Sequence, residues 1–171
     1  MRTAAQKAAD PARAKVFEAE VRRHLGPLVR DLTNATDDLD WWVWGQVAID
    51  AKERHQHVGA RWAARAPHVP IEDLFIIDEL SLRRACKHWP AAWFLLRDVT
   101  GNRLFMAWIV ELVAVERVRV HRMGKGKLLF DLKHFRQIES LNDILTACQE
   151  DIGSERWRAS NSVGRIEVPQ V

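Results

Sequence analysis

The side chains best suited to chemistry in this 171-residue chain are carboxylates near a lysine and a run of cations. Asp98 and Glu111 fall on neighbouring strand-like segments, and Asp131-Leu132-Lys133 follows on a third. Two carboxylates can hold a divalent cation, and a lysine two positions from one of them shares its strand face. Such a group can orient and activate water for hydrolysis. Residues 114–136 form the second constellation. Arg117, Arg119, Arg122, Lys125, Lys127, Lys133 and Arg136 stand there against Glu116 and Asp131, a local excess of five positive charges. The chain carries +3 in all, so the remainder carries −2. Charge gathered in this way is an electrostatic footprint for an anion. Arg117, Arg119 and His121 alternate along one strand face, and Gly124-Lys125-Gly126-Lys127 makes a basic tip whose glycines admit a phosphate. Arg117, Arg119, Arg122, Lys125, Lys127 and Arg136 are the expected contacts to nucleic acid or nucleotide phosphate.

The acid, acid-x-lysine order of Asp98, Glu111, Asp131 and Lys133 resembles the PD-(D/E)XK nuclease pattern. That resemblance implies a Mg²⁺-dependent nuclease or nucleotide hydrolase. The Pro-Asp step is absent, and Val113 stands where a lysine would follow Glu111. No other cofactor is implied. The tip is not a Walker loop, because the G-x-x-x-x-G-K-[ST] order is missing. His55 and His57, two apart, do not chelate together on a helix, and no His/Cys cluster has zinc spacing, so no metal site is expected from them. Cys86 and Cys148 read as reduced, buried thiols.

Eight tryptophans stand beside no tyrosine. Trp41, Trp44, Ala48, Ala51, His55, Val58 and Trp62 recur at steps of three and four, and so predict a helix with one apolar seam. Trp42 lies off that seam and Trp157 sits between two arginines. Both are candidate partner-binding residues, for a protein partner or a homodimer through the Trp-rich helix.

Phe17, Val21, Leu25, Leu28 and Leu32 predict an earlier helix, interrupted at Gly26-Pro27. The two helices make an N-terminal helical hairpin over 11–66. An αβ core follows over 71–153: a strand at 74–77, a helix from Asp78 to Trp89, strands at 92–98, 103–113, 115–121 and 127–132, and a helix opened by Ser140 and Asp143. The fold class is α+β: a helical hairpin, then an antiparallel meander of about four strands with flanking helices, in one domain. Residues 154–171 read as a loosely held tail.

Arginine outnumbers lysine 19 to 7, a bias of GC-rich bacterial coding. No apolar run is long enough for a membrane span, and the first residues lack a secretory signal, so a cytoplasmic protein without membrane contact is expected. Ile71-Glu72-Asp73-Leu74 and Arg83-Arg84-Ala85 resemble a segment of plasmid fertility-inhibition proteins with a ParB/sulfiredoxin-type fold. No Gly-Glu precedes the arginine pair, and the segment stands before the main hairpin rather than after it. This resemblance implies an accessory or regulatory protein of a mobile element, acting in plasmid conjugation and binding DNA.

Overall fold

A computed structural model describes residues 4–27, 29–32, 39–43, 46–122 and 125–163, with the side chains of 4–11, 122, 125 and 161–163 left aside. The elements are α1 (Ala4–Leu25), β1 (Val29–Asp31), β2 (Trp41–Val43), β3 (Val47–Arg54), α2 (Ala60–Ala63), β4 (Leu74–Asp78), α3 (Glu79–Cys86), β5 (Ala92–Asp98), β6 (Arg103–Trp108), α4 (Ile109–Ala114), β7 (Val118–Arg122), β8 (Lys125–Asp131), β9 (Arg136–Ile138), α5 (Ile144–Gly153) and α6 (Glu155–Val163). The strands form a six-stranded sheet in the order β1-β2-β3-β5-β6-β9 and a three-stranded sheet β4-β8-β7. Pairing is antiparallel throughout, except that β3 and β5 run parallel.

The α+β class holds, and the N-terminal helical hairpin does not. Helix α1 buries Phe17, Val21 and Leu25 along one stripe, as their spacing requires. Gly26, at φ 80°, ends it rather than kinking it. The second helix of the hairpin is replaced by β2 and β3, and only the four-residue α2 follows. The reason lies in burial. Val47, Ala48 and Ile49 are fully buried, and Asp50, Ala51 and Arg54 nearly so. A strand covered on both faces loses its period-two pattern, and its apolar positions then fall by chance at helical steps.

The meander is also divided. β5–β6 and β7–β8 are hairpins, but they belong to different sheets. The segment expected as one strand over 103–113 leaves the sheet at Trp108 and continues as α4. The capping box of Ser140 and Asp143 is formed, heading a 3-10 turn that runs into α5. The expected tail is ordered as α6 as far as Val163. Trp157 stacks on Trp93 and Trp108 with ring centroids 6.0 and 6.1 Å away. Trp93 and Trp108 themselves stack at 6.1 Å, and the Trp93 indole N–H donates to Asp151 at 2.8 Å. Helices α1, α5 and α6 thus cover one face of the large sheet, where Phe17 also lies under the Arg97 guanidinium.

On the other face an ionic joint ties the two sheets. Asp98 is fully buried at the end of β5, directly opposite Arg54 of β3. Arg54 contacts both Asp98 oxygens, at 3.2 and 2.6 Å, and donates to the Leu74 and Glu72 carbonyls at the entry to β4. Arg103 of β6 bridges Asp98 and Asp73, at 2.9 and 2.6 Å. Burial would raise the Asp98 carboxyl, but the hydrogen bonds from Arg54 and Arg103 outweigh it and hold it below the usual carboxylate range. Removing one partner would leave a charge buried and half paired. Arg54→Met is therefore expected to cost about 3–5 kcal/mol, read from the urea midpoint. A loss under about 1 kcal/mol, the range of an exposed ion pair, would show the joint to be dispensable.

Candidate functional site

Strand β3 places an acid and a lysine where water-exposed groups are not expected. Asp50 and Lys52 are two residues apart, so both project from one sheet face. Strand β2 pairs with β3 only as far as Trp41↔Ile49, while β3 runs on to Arg54. Asp40 stands at the point where the two strands part. Its backbone carbonyl accepts from Leu32 at 2.9 Å, which anchors it to the end of β1. Its Oδ2 accepts from the Ala51 N–H at 2.7 Å, replacing the next bond of the ladder. That turns the Asp40 carboxylate into hydrogen-bonding contact with Asp50. The Lys52 ammonium reaches both Asp50 oxygens, at 2.7 and 2.6 Å. Glu18, one residue beyond buried Phe17 on α1, completes the group through the fields of Asp40 and Lys52.

The electrostatics follow from this crowding. Burial, then the neighbouring Asp40, pushes the Asp50 carboxyl up to about 7, against the opposing pull of Lys52. Burial and Asp40 also raise the Glu18 carboxyl. Burial alone would lower the Lys52 ammonium, but Asp50 and Asp40 reverse the sign and hold it above its ordinary value. Three carboxylates around one ammonium leave two negative charges when all are ionised, a deficit that a divalent cation fits.

The donors suit such an ion. They are hard oxygens, and Mg²⁺ is commonly held by one or two carboxylates with water completing its shell. No group of three His, Cys, Asp or Glu side chains is drawn together as a ready-made metal cage among the described residues.

The residues expected from sequence lie elsewhere. Asp98 is locked in the joint between sheets. Glu111 is on α4, not on a strand, facing Arg156 at 3.6 Å, and burial followed by Asp151 raises its carboxyl. Asp131 and Lys133 do meet, at 2.6 Å, at the end of β8, and Asp131 caps the Lys133 N–H. No contact joins Asp98, Glu111 and Asp131 to one another. The basic segment forms its hairpin, but much of its charge is committed. Arg117 donates to the Val113 carbonyl at the end of α4. Arg119 makes two contacts to Glu79, at 2.9 and 3.1 Å, and Lys127 pairs with Asp78. Arg136 spans Glu150 and Asp151, both at 2.8 Å. The side chains of Arg122 and Lys125 lie outside the described set, and so does Trp44. Trp42 is half-buried in β2, and Trp157 belongs to the aromatic stack. Cys86 is exposed rather than buried, Cys148 is buried, and both are free thiols. His55 pairs with Glu53 at 2.6 Å. The residues of the fertility-inhibition resemblance fall at the entry to β4 and on α3. No helix among the described residues is long and apolar enough to cross a membrane.

Sequence reasoning missed Glu18, Asp40, Asp50 and Lys52. The available signal was Val-Ala-Ile-Asp-Ala-Lys, an acid-x-lysine step inside an apolar run, with Gly45 as turn punctuation before it.

No protein-family model matches the chain, and no curated protein matches it. Among solved structures it is similar to D212, described as a nuclease from a fusselovirus, with a TM-score of 0.48 and 11% identity. The match covers 89% of this chain and 98% of that one. At that distance it carries no weight for the chemistry, which rests on the geometry above.

Asp50 makes the site visible to pH. Its folded pKa lies above the ordinary carboxyl value of 3.8, so the folded protein binds this proton more tightly than the unfolded chain does. The stability it lends is complete below the ordinary carboxylate range and is lost as pH rises through about 7. In chelator, the thermal midpoint of the wild type should therefore fall between about pH 4 and 7, relative to that of Asp50→Asn, and level off above. Parallel curves for the two proteins would contradict the burial of an ionisable Asp50.

Proposed function

We propose that this chain is a divalent-metal-dependent nuclease whose site is Asp40, Asp50 and Lys52, with Glu18 shaping its field. The observation that carries the reading is the Asp50-Ala51-Lys52 step on β3, its acid buried and its lysine partly exposed, with Asp40 folded against it. This is the acid, acid-x-lysine order of the PD-(D/E)XK pattern, moved from β8 to β3. Mg²⁺, when bound, would supply charge neutralisation at phosphate and lower the pKa of water. Asp40 and Asp50 would hold it. Lys52, which lies beside the same oxygens, would orient the attacking water or balance charge on the phosphate. Water adds to phosphorus as the bond to the leaving sugar oxygen breaks.

Charge favours a polyanionic substrate. The four site residues contribute −2 when ionised, so the rest of the chain, at +3 overall, carries +5. A basic body around an acidic cluster draws in nucleic acid and still requires a cation at the cluster itself. The expected nucleic-acid binding of the basic hairpin would fit here as substrate binding, through the exposed Arg117 and Arg119.

The test is cleavage of labelled DNA and RNA with Mg²⁺ or Mn²⁺ and with chelator. Asp50→Asn and Lys52→Ala should each slow cleavage roughly 10²–10⁴-fold. Asp131→Asn and Lys133→Ala, the other acid-x-lysine step, should keep the wild-type rate. Cleavage that survives Asp50→Asn, or that needs Asp131 instead, would remove the assignment.

A further inference from the structure

Trp42 stands out among the tryptophans. Trp41 beside it is buried, and Trp93 and Trp108 place their indole N–H groups on Asp151 and the Pro90 carbonyl. Trp42 is partly buried, packed against the core but not enclosed by it. Its aromatic neighbour is His88, with ring centroids 5.2 Å apart and planes tilted by 43°. Its position relative to the carboxylates is fixed by register. Trp42 is two residues after Asp40, and it pairs directly with Ala48, which is two residues before Asp50. The four positions form one patch across the β2–β3 pair, with Trp42 about 7 Å from the acids along the strand. Ala48 presents only a methyl group opposite the indole.

A π-face at that distance from a phosphodiester-cleaving centre is within reach of the base next to the bond being broken. A base inside a duplex is already stacked on both sides and offers a protein only its edge. An unpaired base offers its face, and every base has one. Resting on the nuclease reading above, we infer that the substrate is single-stranded nucleic acid and that Trp42 stacks on the base adjoining the scissile phosphate. Trp42 is then a specificity-determining residue.

The experiment measures binding and cleavage separately. In the Asp50→Asn background, fluorescence anisotropy of labelled oligothymidylate and of a labelled blunt duplex is followed at low salt, with thermal midpoints recorded for each variant. Trp42→Leu should weaken oligothymidylate binding about tenfold and leave the duplex unchanged, while Trp42→Phe retains most of the affinity. Wild-type protein with Mn²⁺ should degrade the single strand faster than the duplex. The inference fails if Trp42→Leu binds the single strand normally, if both substrates lose affinity equally, or if the wild type prefers the duplex. Should Trp42→Leu not fold, the wild-type preference and Trp42→Phe still decide. Cleavage of both substrates without preference would sink this inference alone, whereas no metal-dependent cleavage of either would sink the nuclease reading with it.

Discussion

Burying Asp50 in the middle of β3 is the constraint to which much of the molecule answers. An ionised carboxylate removed from water is costly unless it is paired. Lys52 supplies the pairing along the strand, and Asp40 supplies a partner across the gap where β2 ends. Asp40 in turn depends on Leu32 for its backbone position and on the Ala51 N–H for its side chain. The first three strands, though short in β1 and β2, are therefore set by the need to bring one acid against another. A sheet assembled only for its core would have continued the β2 ladder past Ile49, leaving no gap for a carboxylate.

The second ionic centre, four residues further along β3, does a different job with similar groups. Asp98 meets two guanidinium groups, and each of these also binds carbonyl or carboxylate oxygens at the entry to β4. That acid is held below its ordinary range, while Asp50 is pushed above it. Both are buried. The difference is the count of cations: two arginines around one carboxylate give a saturated structural joint, whereas one lysine among three carboxylates gives a site that still lacks positive charge. Perturbation upward, with unmet demand for a cation, is what separates a reactive centre from a clasp.

Much of the second half of the fold was legible because its signals are local. The Thr100-Gly101-Asn102 turn between β5 and β6, the β7–β8 hairpin, the Ser140–Asp143 capping box and Gly153 at the end of α5 each act through neighbouring residues. The first half was not legible, because β3 is covered on both faces and so lacks alternation. Its alanines and valines fell into helical steps with Trp41 and Trp62. That misreading carried the site with it: on a helix, Asp50 and Lys52 point apart, and Asp40 lies nearly three turns from Asp50. The acid-x-lysine spelling was thus recognisable as chemistry, and the reading proposed above sets it on β3 rather than at the end of β8. Asp131-Leu132-Lys133 has the same spelling as Asp50-Ala51-Lys52. What distinguishes them is that Lys133 is largely exposed, whereas Lys52 is about one-third exposed.

The same distinction applies to the tryptophans and to the cations. A residue type that is rich in a sequence invites a functional reading of all its members, yet most of them are engaged by the protein itself. Trp93, Trp108 and Trp157 form one stack that fastens α6 to the large sheet. Arg117 and Arg136 cap or bridge helices, and Arg119 and Lys127 are each met by an acid at the start of α3. Net local charge therefore overstates what the basic segment can offer a partner. A residue bears on function here where its bonding is incomplete and its position is fixed. Asp50 satisfies both conditions through burial among too few cations, and Trp42 through a partly exposed indole held by the register of β2 against β3.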